Sequence, residues 1–76
     1  MIIKVLGSGC SKCKKLEKMV KKVLREENMQ AQIEKVEDYS AILAYGVLTT
    51  PALVVNEKLV SQGKLLNSKE IKELLF

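Results

Sequence analysis

The hydrophobic period of this chain changes once near its start, and that change limits the possible folds more than any other feature. Ile2-Ile3-Lys4-Val5-Leu6 is a short, mostly apolar and partly β-branched run that ends at Gly7-Ser8-Gly9, which reads as a buried strand. From Cys13 onward the apolar residues recur at three- and four-residue steps: Leu16, Met19, Val20, Val23 and Leu24. That spacing makes one stripe of an α-helix. Lys12, Lys14, Lys15, Lys18, Lys21, Lys22 and Arg25 occupy most of the remaining surface, and the helix is expected to fade near Asn28, a residue suited to a C-terminal cap. A strand therefore feeds a helix through a glycine-bounded junction.

The rest of the chain continues the alternation of elements. Residues 29–36 alternate, with Ala31 and Ile33 on one face, and predict a second strand. Asp38 can cap a short helix over Tyr39 to Tyr45, stopped by Gly46. Thr49-Thr50-Pro51 is an extended break. Beyond it, residues 52–55 and 58–61 flank Asn56-Glu57 as a hairpin. Asn67 with Glu70 three residues later forms a capping-box pattern that starts a last helix, with Ile71, Leu74 and Leu75 expected inward. The predicted order is β-α-β-α-β-β-α. The 76 residues read as one domain spanning the whole chain, and 47% of them are apolar, which is enough for a modest core. Leu, Val and Ile must fill it, because the aromatics are only Tyr39, Tyr45 and Phe76.

Cys10-Ser11-Lys12-Cys13 lies at the junction of the first strand and first helix. A structural staple is a poor reading of this pair, since a disulfide closing four residues stabilises by roughly 2 kcal/mol before strain is subtracted. Placement favours chemistry instead. Cys10 falls at a helix amino terminus, where unpaired backbone N–H groups and the helix dipole favour an anion. The thiolate is the nucleophile of thiol–disulfide exchange, and such sites depress a cysteine pKa. At pH 7 an unperturbed thiol is only about 3% thiolate, and making it half thiolate requires about 2 kcal/mol. The helix terminus supplies roughly 0.3–1 kcal/mol of this, and Lys12 is the side chain best placed to add to it. Cys13 points along the apolar stripe. The expected roles are therefore Cys10 as attacking thiol and Cys13 as resolving thiol.

Taken together, Cys10-Ser11-Lys12-Cys13, Tyr45-Gly46-Val47, residues 49–55 (Thr-Thr-Pro-Ala-Leu-Val-Val) and Ser61-Gln62-Gly63 resemble the small redox-active disulfide proteins of the thioredoxin superfamily, glutaredoxin-sized members of archaea and bacteria. The resemblance implies an α/β, thioredoxin-like fold: a four-stranded mixed sheet flanked by three helices, the first and third on one face and the second on the other. It implies a cis Pro51 facing the cysteines, with Ser11, Lys12, Thr50 and Pro51 meeting substrate. The implied partners are protein disulfide substrates and a thioredoxin-reductase-like flavoenzyme as electron donor, acting on a monomer without a bound cofactor. The sequence departs from the family pattern in places. Ser11 follows the first cysteine where proline is common, Gly9 stands where thioredoxins carry Trp, and Glu57 occupies a hairpin position often held by Gly. Ser61-Gln62-Gly63-Lys64 replaces the Gly-Gly-x-x-Asp-type segment that binds glutathione in glutaredoxins, which argues against glutathione as donor.

A binding module is the competing reading. Ferredoxin-like βαββαβ chaperones of soft metals also place CxxC after the first strand, and thiolates select Cu(I) or Zn(II). Those chaperones usually carry Met two residues before the first cysteine, where this chain has Ser8, and they lack a Thr-Thr-Pro strand start. The net charge of +4 and the lysine-rich helix mildly favour acidic partners. No aromatic is interleaved with the lysines to stack on bases, so nucleic acid is not expected. The first apolar run is too short, and too interrupted by Lys4, for a secretory or membrane-spanning segment. The cytoplasm is the expected location.

Overall fold

The computed structural model describes residues 1–7 and 11–76, and its elements follow the predicted order: β1 Ile2–Leu6, α1 Ser11–Glu26, β2 Gln32–Val36, α2 Tyr39–Ala44, β3 Ala52–Val55, β4 Lys58–Gln62 and α3 Ser68–Leu75. The sheet order is β2-β1-β3-β4. β1 pairs parallel with β2 across the α1 crossover and antiparallel with β3, and β3 pairs antiparallel with β4. The topology is thioredoxin-like, and it is not the βαββαβ order that the metal-chaperone reading requires.

The period-2 alternation of the central strands divides the core into two layers. Ile3, Val5 and Leu53 face one side, where they meet Leu16, Val20, Val23 and Leu24 of α1 and Ile71 and Leu75 of α3. Leu6, Ala52 and Val54 face the other, against Ile42 of α2 and Val47. Helices 1 and 3 thus share one face and helix 2 covers the other, as the resemblance implied. Because α2 is short, part of its face is filled differently. Lys4, in the middle of β1, extends under the Tyr45 ring, with its Nζ 5.3 Å from the centroid, and donates to Tyr45 Oη (2.7 Å) and Glu57 Oε1 (2.5 Å). Tyr45 Oη in turn donates to Glu57 Oε2 at 2.9 Å. The hydrogen bond to Glu57 is the first cause that raises the Lys4 pKa, and the same bond is the first cause that lowers that of Glu57.

Local signals explain the boundaries. Asn28 adopts φ 53°, Asn28 N–H donates to the Arg25 carbonyl and Met29 N–H reaches back to Leu24 at 2.9 Å, a Schellman closure of α1. Met29 is therefore committed to the helix end. β2 begins only at Gln32, later than the alternation from residue 29 suggested. Asp38 caps α2 by accepting from Ala41 N–H at 3.0 Å. Asn56 and Glu57 both take positive φ (50° and 67°), the conformation of a two-residue hairpin turn. On β4, Ser61 pairs with Leu53 and Leu59 with Val54, leaving Val60 as a bulge. The capping box of α3 is complete, with Glu70 N–H donating to Asn67 Oδ1 (2.8 Å) and Asn67 N–H to Glu70 Oε1 (3.1 Å). One expectation is corrected here. Ile71 and Leu75 are buried, but Leu74 is exposed, because the face that meets α1 is centred on the Ile71–Leu75 line and Leu74 lies to its side.

Candidate active site

Helix α1 begins at Ser11, the residue after Cys10 in sequence. Cys10 itself, with Ser8 and Gly9, lies outside the described residues. Ser11 and Lys12 are exposed on the first turn, while Cys13 is buried on the stripe that carries Leu16 and Val20.

The residue that lets Cys13 sit so close to the sheet is Gly7, at the end of β1. A Cβ on Gly7 would overlap Cys13 Sγ and lie 3.3 Å from Cys13 Cβ and 3.8 Å from Thr50 Cβ. Three chain segments thus converge on one point: the end of β1, the first turn of α1 and the Thr49-Thr50-Pro51 loop. Any side chain at position 7 would displace the sulfur.

The Thr50–Pro51 peptide bond is cis, as the resemblance implied. Pro51 is buried at the start of β3, and Thr50 is exposed beside the Gly7–Cys13 contact. The loop is held from its far side by residues at the end of β4. Gly63 N–H donates to the Pro51 carbonyl at 2.8 Å, and Gln62 Oε1 accepts from Leu48 N–H at 3.0 Å. Gly63 has φ +72°, and a Cβ there would stand 2.5 Å from Thr49 Oγ1, so glycine is required by both backbone and space. In the sequence Gly63 figures in the Ser61-Gln62-Gly63 motif of the family resemblance and in the segment that replaces a glutathione site. In the structure it is a brace for the proline loop.

A cleft of about 250 Å3 opens beside Cys13, bordered by Gly7, Lys14, Glu17, Lys35 and Glu37. Glu17, one helical turn beyond Cys13, accepts from Lys21 at 2.9 Å and from Lys35 of β2 at 3.2 Å. The hydrogen bond from Lys21 is the main cause of its lowered pKa, and that from Lys35 adds to it against the cost of burial. Sequence reasoning passed over Glu17, although a lone acid in the first turns of a lysine-rich helix was a signal. On the α2 side, a second cleft of about 240 Å3 is lined by Tyr39, Ile42, Leu43, Val47, Leu48 and Thr50, and Glu37 borders both. Tyr39, Leu43 and Leu48 are exposed there, Leu48 at 87%. Among the described residues, no group of three or more His, Cys, Asp or Glu side chains is arranged to hold a metal ion. No helix among them is long and apolar enough to cross a membrane.

The sequence has relatives among known proteins. The sequence matches the thioredoxin domain family over residues 1–76. It is 33% identical over 75 residues to a thioredoxin of Methanothermobacter thermautotrophicus, covering 99% of this chain and 97% of that one. It is 36% identical over 75 residues to a thioredoxin of Methanocaldococcus jannaschii, covering 99% of this chain and 86% of that one. A strand–helix junction bearing CxxC, a braced cis-proline loop beside the second cysteine and full-length similarity to these two proteins lead to one assignment: the chain belongs to the thioredoxin domain family.

Proposed function

We propose that this protein is a thiol–disulfide oxidoreductase that reduces disulfides of other proteins, with Cys10 as the attacking thiol and Cys13 as the resolving thiol. Family membership supports the general class of reaction. The observation that carries the residue roles is the placement of Cys13: buried on the first turn of α1, against Gly7 and beside Thr50 of the proline loop. A buried sulfur is a poor first attacker on a bulky partner but a well-placed second one.

The exchange proceeds in two displacements. The Cys10 thiolate attacks one sulfur of a substrate disulfide, forming a mixed disulfide and releasing the first substrate thiolate. Cys13, after losing its proton, attacks Cys10 Sγ, closing the Cys10–Cys13 disulfide and releasing the second substrate thiolate. The substrate gains two electrons and the protein dithiol loses them. The cleft beside Cys13 gives its proton a solvated exit, with the Glu17 carboxylate and Lys35 ammonium at its wall. Thr50, exposed on the proline loop, suits an extended substrate segment, which can pair with its backbone as an added strand. Tyr39, Leu43 and Leu48 offer that segment's apolar side chains a surface next to Thr50. Ser11 and Lys12, exposed on the first turn of α1, complete the substrate-facing rim.

Trapping tests the roles. Cys13→Ser should accumulate a mixed disulfide with a reducible protein such as insulin, and Cys10→Ser should accumulate none. The reverse pattern overturns the assignment. The segment after β4 supports a protein reductase as the electron donor. Gly63 and Gln62 are engaged in bracing the proline loop, and no Gly-Gly-x-x-Asp-type segment is present to receive glutathione. Turnover should therefore be sustained by NADPH and a flavin-dependent thioredoxin reductase. Equal turnover with glutathione and glutathione reductase would show the donor reading to be wrong.

A further inference from the structure

The two flanks of α1 treat their lysines differently. On the flank toward β2, Glu17 takes hydrogen bonds from both Lys21 and Lys35, so charge is met by charge. On the opposite flank, Lys15, Lys18 and Lys22 border a groove of about 290 Å3 whose floor is Met19 and Leu65. None of these three lysines is in an ion pair among the described residues. Leu65, on the segment before α3, is 44% exposed. The spacing 15, 18, 19, 22 places the groove residues on one helical face beside the core stripe. An apolar floor walled by three uncompensated cations is a surface whose chemistry is left open on both counts.

We propose that this groove docks an acidic segment of a partner protein, with an apolar side chain of that segment seated between Met19 and Leu65 and its carboxylates on Lys15, Lys18 and Lys22. Charge complementarity and the apolar floor jointly select this occupant. Nucleic acid would use the lysines but not the floor, and the groove holds no aromatic side chain to stack a base. A lipid surface calls for a broad apolar helix face, and that of α1 is buried against the sheet. A second copy of this chain carries the same +4 charge and is repelled. Met19 is six residues beyond Cys13, about 9 Å along the helix axis, so a partner seated here has its neighbouring sulfurs within reach of the CxxC. The purpose of the groove, bringing a redox partner to Cys10, rests on the oxidoreductase reading; the binding itself does not.

The test is an NMR titration of the 15N-labelled wild-type chain, without reductant, with a short synthetic peptide in which Glu and Asp surround a single Leu. Shifts should be confined to the Lys15–Lys22 flank and Leu65, and should weaken as salt rises. Replacing Lys15, Lys18 and Lys22 together by Gln should raise Kd roughly tenfold, as expected for three rim ion pairs. Replacing the peptide's Leu by Ala, or Leu65 by Ser, should weaken binding by a similar factor. All four positions on the protein are exposed, and the dispersion of the amide spectrum reports whether each variant is folded. Shifts mapping elsewhere, an unchanged Kd in the Gln variant, or indifference to both Leu changes would overturn the proposal. Tighter binding of a duplex oligonucleotide or of phosphatidylserine vesicles through the same lysines would overturn it in favour of that occupant. Failure here is distinct from failure of the redox reading, which the Cys13→Ser trap reports alone. The pre-reduced Gln variant should still reduce hydroxyethyl disulfide at the wild-type rate, because a small neutral disulfide needs no docking.

Discussion

Gly7 directly follows β1, and the packing there leaves no space for even a methyl group. Gly7→Ala should push Cys13 Sγ out of its position between the sheet and Thr50. We expect the variant to remain folded but to release substrate slowly, because the second displacement depends on where that sulfur sits. The signature is a mixed disulfide that persists in otherwise wild-type cysteine chemistry, seen as a gel-shifted adduct that outlasts that of the unsubstituted chain. A variant that turns over normally would remove Gly7 from the site. The contact could not be read from sequence. Gly7-Ser8-Gly9 announces a turn, but which glycine faces a sulfur depends on how α1 returns over the sheet. Gly63 was hidden for the same reason: its partner, Thr49, is 14 residues earlier in the chain. Pro51 was legible as a strand start because a lone proline precedes an apolar run, but its cis bond was foreseen only through the family resemblance.

Among the elements, α1 shows most clearly what periodicity can and cannot supply. Its buried face, Cys13 to Leu24, follows directly from three- and four-residue spacing. Its end at Asn28 follows from a residue tolerant of left-handed φ. The late start of β2 does not, because Met29 looks like strand until the helix closure claims its N–H. Leu74 was misplaced because an eight-residue helix gives too short a stripe to fix its centre to within one residue. The Glu17–Lys21 pair is an ordinary i,i+4 spacing that the sequence offers, but the Glu17–Lys35 pair was invisible, since Lys35 reaches Glu17 only through the crossover to β2. They have a pH consequence. The folded state holds the Glu17 carboxyl below its ordinary value of 4.5, chiefly through Lys21. A depressed carboxylate pKa contributes stability that is present above the unfolded value and is lost as pH falls through the folded one. Glu17→Gln should therefore be less stable than the wild type at neutral pH, with the gap shrinking below about pH 4.5. Urea midpoints measured across that range would show it, and a gap that widens on acidification would contradict the assignment.

At the scale of the whole molecule, a chain of 76 residues has little stability to spare, roughly 4–11 kcal/mol. Leu53 is fully buried on a central strand, in the layer shared by α1 and α3. Leu53→Ala should cost about 2–5 kcal/mol. With a urea slope near 1 kcal/mol per molar, the midpoint should fall by about 2 M or more. A shift under about 0.5 M would mean that the site can collapse and that the core is looser than its burial indicates. The Lys4–Tyr45–Glu57 cluster ties β1, the end of α2 and the hairpin together on the opposite face, where apolar packing is thinner. A lysine at the centre of a central strand reads from sequence as an interruption; only the fold reveals it as a strut.

The bulge at Val60 carries a consequence of a different kind. β2 and β4 form the two borders of the sheet, and each could in principle recruit a strand from another molecule and begin a fibre. β4 is bent out of register at its midpoint by the unpaired Val60, and β2 presents Gln32, Glu34 and Lys35 along five residues. Neither border is a straight, apolar template. In the proposed function, where extended, disulfide-bearing chains are held against the protein's own backbone, such borders would leave strand addition to the short Thr50 segment and would disfavour aggregation with the substrate.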